Sequence, residues 1–292
     1  MDGMQTIISP SFNVRIYAAE TLNTVKEITK IHETTPNATA ALGQAINAAA
    51  LLGAALKPES TQNLTLRIQG SGPLKEVFVQ IDAAGNLRAF TANPQIDINN
   101  PMPRISFSDA IGAGMISISK DLGLKEPYSS VSPIIKGELA EDIAYYLTKS
   151  EQIPSAVIIG FKLGTDGEIK ASGGILIQTF PDTPESSIAS IEQNISGLKK
   201  TLSESLAEGE DITDFIKDLL GNSPVEIISR TDIRHKCRCS TDLLRNVIKT
   251  LPKTDISEMI EKEHGTEIDC TFCRKTYKFG EHDLRDILEE MN

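Results

Sequence analysis

Cysteine is scarce in this sequence and unevenly placed. Only 4 of the 292 residues are cysteine, and all of them follow Lys236. Four cysteines in a chain of this length cannot form the dense disulfide framework that holds small secreted domains together. Because the chain is 40% hydrophobic overall, the long part without cysteine has enough apolar side chains for a core of its own. The chemistry of the cysteines therefore belongs to a small C-terminal unit.

Positive charge is also in short supply. The chain carries 29 Lys and Arg against 40 Asp and Glu, a formal net charge of −11. This excess argues against a surface that binds nucleic-acid phosphates along the whole chain. Up to Thr231 there are 18 basic and 27 acidic residues, whereas beyond it 11 basic residues stand against 13 acidic ones. The C-terminal part is therefore nearly neutral, and a local basic patch there is not excluded.

Long apolar runs and catalytic motifs are missing too. The most apolar stretch, residues 38–56, is interrupted by polar residues and is typical of a packed helix, so we expect no membrane contact. Residues 1–16 lack the pattern of a secretory signal, and we expect a cytoplasmic protein. No nucleophile elbow, HExxH motif, P-loop or dinucleotide fingerprint occurs. These common catalytic motifs therefore give no support for an enzyme.

The order of the predicted elements indicates an α+β fold. Residues 35–57 are predicted to form one long helix, and the alternation of Leu64, Leu66 and Ile68 begins a series of strands. Strands and helices come in runs, which favours α+β over a doubly wound sheet. We interpret Gly173 and Gly174 as turn or bulge glycines. The predicted domains are an N-terminal domain of packed sheets with helices (residues 1–180), a helical linker (181–231) and a small domain that carries the four cysteines (232–292).

The linker carries a stripe of apolar residues at helical spacing. These predict one amphipathic helix of about five turns over residues 188–206, followed by a second over residues 211–220. The stripe consists of Ile188, Ile191, Ile195, Leu198, Leu202 and Leu206. Periodicity alone leaves two interpretations open: a connector that docks on the first domain, or simply the last two helices of that domain.

The four cysteines form two close pairs, as metal ligands do. Cys237-x-Cys239 is followed after 30 residues by Cys270-x-x-Cys273, a set that can complete a tetrahedral thiolate site for Zn²⁺. Four sulfur ligands already fill such a site, so we do not expect His235 to bind the metal. One interpretation is a static structural zinc site. The other is a redox-sensitive one, because oxidants attack cysteine in its thiolate form.

Local patterns also place elements around the cysteines. Ser240 and Asp255 are predicted to begin two helices between the two pairs. Alternation at Tyr277 and Phe279 predicts a strand directly after the second pair. The apolar side chains in this part are few for its length, and we expect the metal to support its fold.

Several motifs together resemble one known family, the bacterial redox-regulated 33 kDa chaperonin, heat shock protein 33. The resemblance spans nearly the whole chain and is weakest at residues 100–112 and 128–131. The motifs that carry it are Cys237-Arg238-Cys239-Ser240, Cys270-Thr271-Phe272-Cys273, Gly137-Glu138-Leu139, residues 150–156, Gly173-Gly174 and residues 40–43.

The resemblance implies an ATP-independent holdase with a redox switch, and therefore a protein that is not an enzyme. In the reduced, inactive form one Zn²⁺ per chain is held by Cys237, Cys239, Cys270 and Cys273. Oxidation is implied to form the disulfides Cys237–Cys239 and Cys270–Cys273, to release zinc and to unfold the C-terminal unit and linker. The exposed apolar surface then binds unfolding client proteins under oxidative and heat stress, and the oxidised protein forms a homodimer. Neither nucleic acid nor membrane is an implied partner.

Two other functions remain as alternatives. A zinc-ribbon module for binding nucleic acid or protein is suggested by basic residues around the cysteines, namely Lys236, Arg238, Arg274, Lys275 and Lys278. A thiol-disulfide oxidoreductase could use Cys270-x-x-Cys273. In thioredoxin-like enzymes that motif opens a helix, whereas here a strand pattern follows it.

Overall fold

The computed structural model describes residues 1–96 and 106–291, and it divides into two compact units, Met1–His235 and Lys236–Asn292. Residues 100–105, the first half of the stretch 100–112 where the family resemblance is weak, lie outside the described residues. Both units mix helices with sheets, so the predicted α+β class is confirmed. Within the described ranges, no helix is long and apolar enough to cross a membrane.

In its described residues, the first unit contains two sheets with helices between and beside them. Its elements in chain order are β1 (Gly3–Ser9), β2 (Val14–Glu20), α1 (Leu22–Ile31), α2 (Pro36–Gly53), β3 (Asn63–Gly70), β4 (Glu76–Asp82), β5 (Asn86–Thr91), α3 (Phe107–Ile111), β6 (Gly114–Asp121), β7 (Tyr128–Pro133), α4 (Leu139–Ser150), β8 (Ser155–Leu163), β9 (Ile169–Thr179), α5 (Glu185–Ser196), α6 (Leu202–Ala207), α7 (Ile212–Leu219), β10 (Glu226–Asp232) and β11 (Arg234–His235).

The two sheets enclose the long helix α2. One sheet has the strand order β10-β1-β2-β9-β8 and the other β11-β5-β4-β3-β6-β7. Leu64, Leu66 and Ile68 alternate inward on β3, as predicted, and join α2 in one core cluster with residues of both sheets. Helix α2 is shorter than predicted and ends at Gly53. Pro58 disfavours helical backbone at the residue before it, so the helix could not continue to Lys57.

Helices α5, α6 and α7 cover the other face of the five-stranded sheet. Ile191, Leu202 and Phe215 from these helices share a core cluster with sheet residues such as Ile16 and Ile177. The prediction of one helix over residues 188–206 is wrong, because α5 and α6 are separate helices. α5 ends at a glycine cap, and a capping box in which Thr201 and Glu204 bond reciprocally starts α6. The proposed boundaries at residues 180 and 231 stay predictions.

Gly173 and Gly174 are not turn or bulge glycines, contrary to the prediction. They lie inside β9, in regular register with β2. A Cβ atom on Gly173 would lie 2.8 Å from Leu206 Cδ1, and one on Gly160 of β8 would lie 3.0 Å from Leu202 Cγ. The missing side chains thus let α6 lie close against the sheet.

The last two strands of the first unit contribute one edge to each sheet. β10 pairs antiparallel with β1, and β11 pairs parallel with β5. Most side chains of β10 are exposed, including Ile227 at 40% and Ile228 at 56%. We call residues 226–235 the edge strap. Backbone hydrogen bonds pair it with both sheets, Ile233 is buried in the core cluster around α2, and the strap immediately precedes the first cysteine pair in the chain.

The second unit is a small domain of three helices and one hairpin. Its elements are α8 (Thr241–Ile248), α9 (Lys253–Glu261), β12 (Gly265–Asp269), β13 (Thr276–Gly280) and α10 (Glu281–Glu290). Ser240 caps α8 as predicted. α9 begins at Lys253 rather than Asp255, because the carbonyl of Pro252 accepts hydrogen bonds from Asp255 N and Ile256 N. Buried residues such as Ile248, Ile256, Phe279 and Leu284 form its core.

Candidate metal centre

Two different local structures present the cysteines. Cys237 and Cys239 lie on the extended segment before α8, and Cys270 and Cys273 lie in the turn between β12 and β13. In that turn, Cys270 N donates to Lys275 O at 3.0 Å and Arg274 N donates to Cys270 O at 2.8 Å. Arg274 has a positive φ of 57°, which closes the turn tightly. Because the turn connects two strands, Cys270-x-x-Cys273 does not open a helix as it does in thioredoxin-like enzymes.

The four sulfur atoms converge on one point. All of them lie within 4.8 Å of one another. The shortest contacts join the two pairs, at 3.5 Å from Cys237 Sγ to Cys270 Sγ and 3.4 Å from Cys239 Sγ to Cys273 Sγ. A tetrahedral zinc site with Zn–S bonds of about 2.3 Å has sulfur–sulfur edges of about 3.8 Å. The donor set and its spacing therefore fit one Zn²⁺ ion.

The sulfurs are sheltered but not sealed from solvent. Cys270 is buried, with 8% of its surface exposed, and the other three cysteines are partly buried. All four pack against the core of the second unit, which includes Tyr277 and Ile248. A metal ion at this position would complete that core, while small oxidants could still reach the sulfur atoms.

As free thiols, three of the cysteines have shifted pKa values. Burial raises the pKa of Cys237 to about 12 and also raises the pKa of Cys273. Burial acts in the same direction on Cys239, but hydrogen bonds from Tyr277 and Cys237 outweigh it and lower the pKa of Cys239 to about 7. Of these three, Cys239 is the one most readily present as a thiolate, the form that binds metals.

Tyr277 is a functional contact that sequence analysis missed. Its hydroxyl donates to Cys239 Sγ at 3.1 Å, and Lys275 Nζ lies 4.9 Å from the centre of its ring. The hydrogen bond to Cys239, together with burial, raises the pKa of Tyr277 to about 12. The alternation after the second cysteine pair placed Tyr277 on an inward-facing strand position, but it gave no sign of a contact with the first pair.

Among the described residues, the candidate ligand group contains these four cysteines and no histidine. His235 instead lies in β11, where its Nδ1 atom is 3.1 Å from Glu27 Oε1. His264 and His282 pair with acidic side chains of their own unit.

The basic side chains around the cysteines are exposed. Lys278 forms an ion pair of 2.6 Å with Glu267. Exposed basic side chains are equally typical of a solvated rim, so they give the nucleic-acid alternative no specific support.

Comparison with known proteins identifies the family. The sequence model described as "Hsp33 protein" matches residues 2–280. The chain is 36% identical over 282 residues to the 33 kDa chaperonin of Staphylococcus carnosus, covering 96% of this chain and 95% of that protein. It is 37% identical over 291 residues to the 33 kDa chaperonin of Desulforamulus reducens, covering 99% and 98%.

A solved structure agrees with the sequence comparisons. The crystal structure of the 33 kDa chaperonin (heat shock protein 33 homolog) from Thermotoga maritima superposes with a TM-score of 0.88 at 32% identity. The superposition covers 99% of this chain and 98% of that one. The resemblance found in the sequence is thereby confirmed, and the chain belongs to the Hsp33 family.

Proposed function

We propose that this protein is an ATP-independent holdase whose activity is switched on by oxidation. The observation that carries the proposal is the meeting of four sulfur atoms within 4.8 Å in a chain that has no other cysteine. An oxidant that reacts with thiols therefore has one place to act. The proposal also includes a cytoplasmic location and a homodimer in the oxidised state.

In the reduced state, Cys237, Cys239, Cys270 and Cys273 would hold one Zn²⁺ as thiolates. The ion would supply charge compensation for the four sulfurs and a cross-link between the segment before α8 and the β12–β13 turn. Structural zinc contributes on the order of 10–16 kcal/mol to coupled binding and folding in small domains. The second unit has a modest core, so its fold would depend on keeping this ligand set intact.

Oxidation would convert the four thiolates into two disulfides and release the ion. For each disulfide, two thiolates and one hydrogen peroxide give one S–S bond and two hydroxide ions, so peroxide is reduced as sulfur is oxidised. We propose the pairs Cys237–Cys239 and Cys270–Cys273. Cross-linking between the pairs would keep the two cysteine-bearing segments together, whereas bonds within each pair leave them free to separate. The second unit would then lose its cross-link and unfold.

Client binding would follow from loosening of α5, α6 and α7. These helices cover an apolar sheet face that includes Ile7, Ile16 and Ile175. The edge strap would pass unfolding of the second unit on to these helices, because it is the chain segment that connects α7 to the cysteine segment. The side chains of its β10 part are mostly exposed, so few contacts hold that part in place. Once uncovered, the sheet face and the apolar sides of the helices would bind unfolding proteins through the hydrophobic effect. This mechanism treats residues 181–231 as a functional linker.

The test compares the zinc-loaded reduced protein with the same sample after peroxide treatment at elevated temperature. We expect loss of one zinc and four thiols per chain, loss of helical circular dichroism, and suppression of light scattering from a thermally unfolding client without ATP. Peptide mapping should find the two disulfides within the cysteine pairs. Reductant with added zinc serves as the control and should restore the starting state. Retention of zinc and thiols, or oxidation without any effect on client aggregation, would overturn the proposal.

A further inference from the structure

One of the four sulfurs differs from the others in its surroundings. Tyr277 Oη donates a hydrogen bond to Cys239 Sγ at 3.1 Å. In the described part of the chain, no other side-chain hydroxyl contacts a cysteine sulfur. Tyr277 is only 8% exposed and packs in the core of the second unit, so the hydroxyl is held in this orientation.

Two features fix the tyrosine and strengthen its hydroxyl as a donor. Tyr277 lies on β13, where its backbone pairs with Ile268 of β12 in regular register. The ammonium group of Lys275 lies 4.9 Å from the ring centre, a cation–π distance. A cation over the ring draws electron density from it, which makes the hydroxyl a better hydrogen-bond donor.

The geometry points to Tyr277 as a positioning residue that restrains the reaction of Cys239 with oxidants. This inference rests on the proposed redox function. As metal ligands the four sulfurs would already be thiolates, so the hydrogen bond would not change how much of Cys239 is ionised. It would instead withdraw charge from the sulfur, which is the atom that attacks peroxide. The same bond would stabilise Cys239 as a metal ligand, because groups that hydrogen-bond to ligands orient them and tune metal affinity. Tyr277 would thus set how readily the first cysteine pair leaves the ligand set.

The restrained step is the first one of disulfide formation. The Cys239 thiolate attacks one peroxide oxygen, the O–O bond breaks, and sulfenic acid and hydroxide form. The Cys237 thiolate then displaces hydroxide from that sulfur, which closes the S–S bond. Removal of the tyrosine hydroxyl would increase the charge on the attacking Cys239 sulfur. The Cys270 and Cys273 sulfurs would lose no hydrogen bond from a hydroxyl.

The test uses Tyr277→Phe, which removes only the hydroxyl, and Tyr145→Phe as the matched control in the first unit. Zinc affinity is measured without oxidant by competition with a chromogenic chelator. Peroxide oxidation is followed by quenched alkylation and mass spectrometry, which report the initial rate for each cysteine pair separately. For Tyr277→Phe we expect zinc affinity to fall by roughly tenfold, at the lower end of effects for such contacts. We also expect the Cys237–Cys239 pair to oxidise several-fold faster relative to Cys270–Cys273.

Each outcome has one meaning. Unchanged affinity and rates in Tyr277→Phe would overturn the inference, and so would equal acceleration of both pairs, since general loosening of the unit predicts equal effects. If the wild-type protein does not oxidise, the proposed function fails, while the oxidant-free affinity comparison still tests Tyr277. If Tyr277→Phe does not fold with zinc, Lys275→Gln at an exposed position takes its place. It must also lower zinc affinity and speed oxidation of the Cys237–Cys239 pair, each by a smaller factor.

Discussion

Truncation of Phe215 should open the covering helices without any oxidant. Phe215 is 5% exposed and lies in the core cluster that joins α7 to the five-stranded sheet. Replacing it with alanine removes most of an aromatic side chain from that contact and leaves the cysteines untouched. If loosening of α5–α7 is what exposes the binding surface, Phe215→Ala should be partly active in the reduced, zinc-loaded state.

The size of the effect follows from the burial of the ring. Replacement of a buried phenylalanine by alanine costs about 3–5 kcal/mol in protein cores. Because about 1.4 kcal/mol corresponds to a tenfold change in an equilibrium constant, the opening equilibrium should shift by roughly two to nearly four powers of ten. Lys217→Ala on the same helix is the matched control. Lys217 and Asp214 form an exposed ion pair at 2.8 Å, and such pairs contribute at most about 1 kcal/mol.

Hydrogen–deuterium exchange with mass spectrometry measures the opening, and light scattering of an aggregating client measures the activity. In reduced Phe215→Ala, peptides from residues 185–220 should exchange faster, whereas peptides from the second unit should exchange as in the wild type. Client aggregation should be partly suppressed in the presence of reductant, and Lys217→Ala should behave as wild type. Faster exchange in residues 185–220 without any activity would refute the reasoning that these helices cover the client-binding surface.

Three further predictions concern stability. Asp142 accepts backbone hydrogen bonds from three successive residues. Asp142→Ala should therefore lower the free energy of unfolding of the first unit by about 2–3 kcal/mol in denaturant titrations. An equal loss in the exposed neighbour variant Glu141→Ala would contradict this reasoning. Cys270→Ser should abolish stoichiometric zinc binding and the calorimetric transition of the second unit, and a variant that keeps both would contradict the four-sulfur site. Burial and the charge of Asp211 raise the pKa of Glu20 above 4.5, so its ionised form opposes folding at neutral pH. Glu20→Gln should therefore raise the melting temperature of the first unit at pH 7, and the gain should disappear as pH falls below 4.5. A gain that stays constant with pH would contradict the raised pKa of Glu20.

The features that were predictable from sequence are those encoded by neighbouring residues. The spacing within Cys237-x-Cys239 and Cys270-x-x-Cys273 matches metal-ligand pairs, and the structure brings their sulfurs together. Alternation at Leu64, Leu66 and Ile68 reflects the two-residue period of a strand with one buried face. In each case the signal lies within a few residues of the feature that it predicts.

The helix break between α5 and α6 shows how a correct pattern can mislead. Ile191 and Leu202 belong to different helices, yet both face the same sheet, so the helical spacing of apolar residues continues across the break. The local evidence for the break was present as Gly197 and as the capping pair Thr201 and Glu204. Apolar periodicity reports which side faces the core, whereas capping residues report where a helix begins and ends.

Contacts between distant segments left no local pattern to detect. The side chains of β10 are mostly exposed, so the strand has no alternation of burial that a sequence could display. β11 is two residues long and depends on its pairing with β5. The bond from Tyr277 to Cys239 likewise joins residues 38 positions apart. Such features follow from the assembled fold.

The edge strap has a mechanical consequence. Its last pairings are His235 with Leu87 on β5 and Asp232 with Gly3 on β1, and the chain leaves the strap from that same end. Tension applied through residue 236 would first reach β11, where His235 pairs with Leu87, His235 Nδ1 lies 3.1 Å from Glu27 Oε1 and the neighbouring Ile233 is buried in the core. Beyond it, β10 has mostly exposed side chains, and each of its backbone hydrogen bonds to β1 contributes only about 1 kcal/mol net. Release of β10 under tension therefore depends on prior loss of the contacts at residues 233–235.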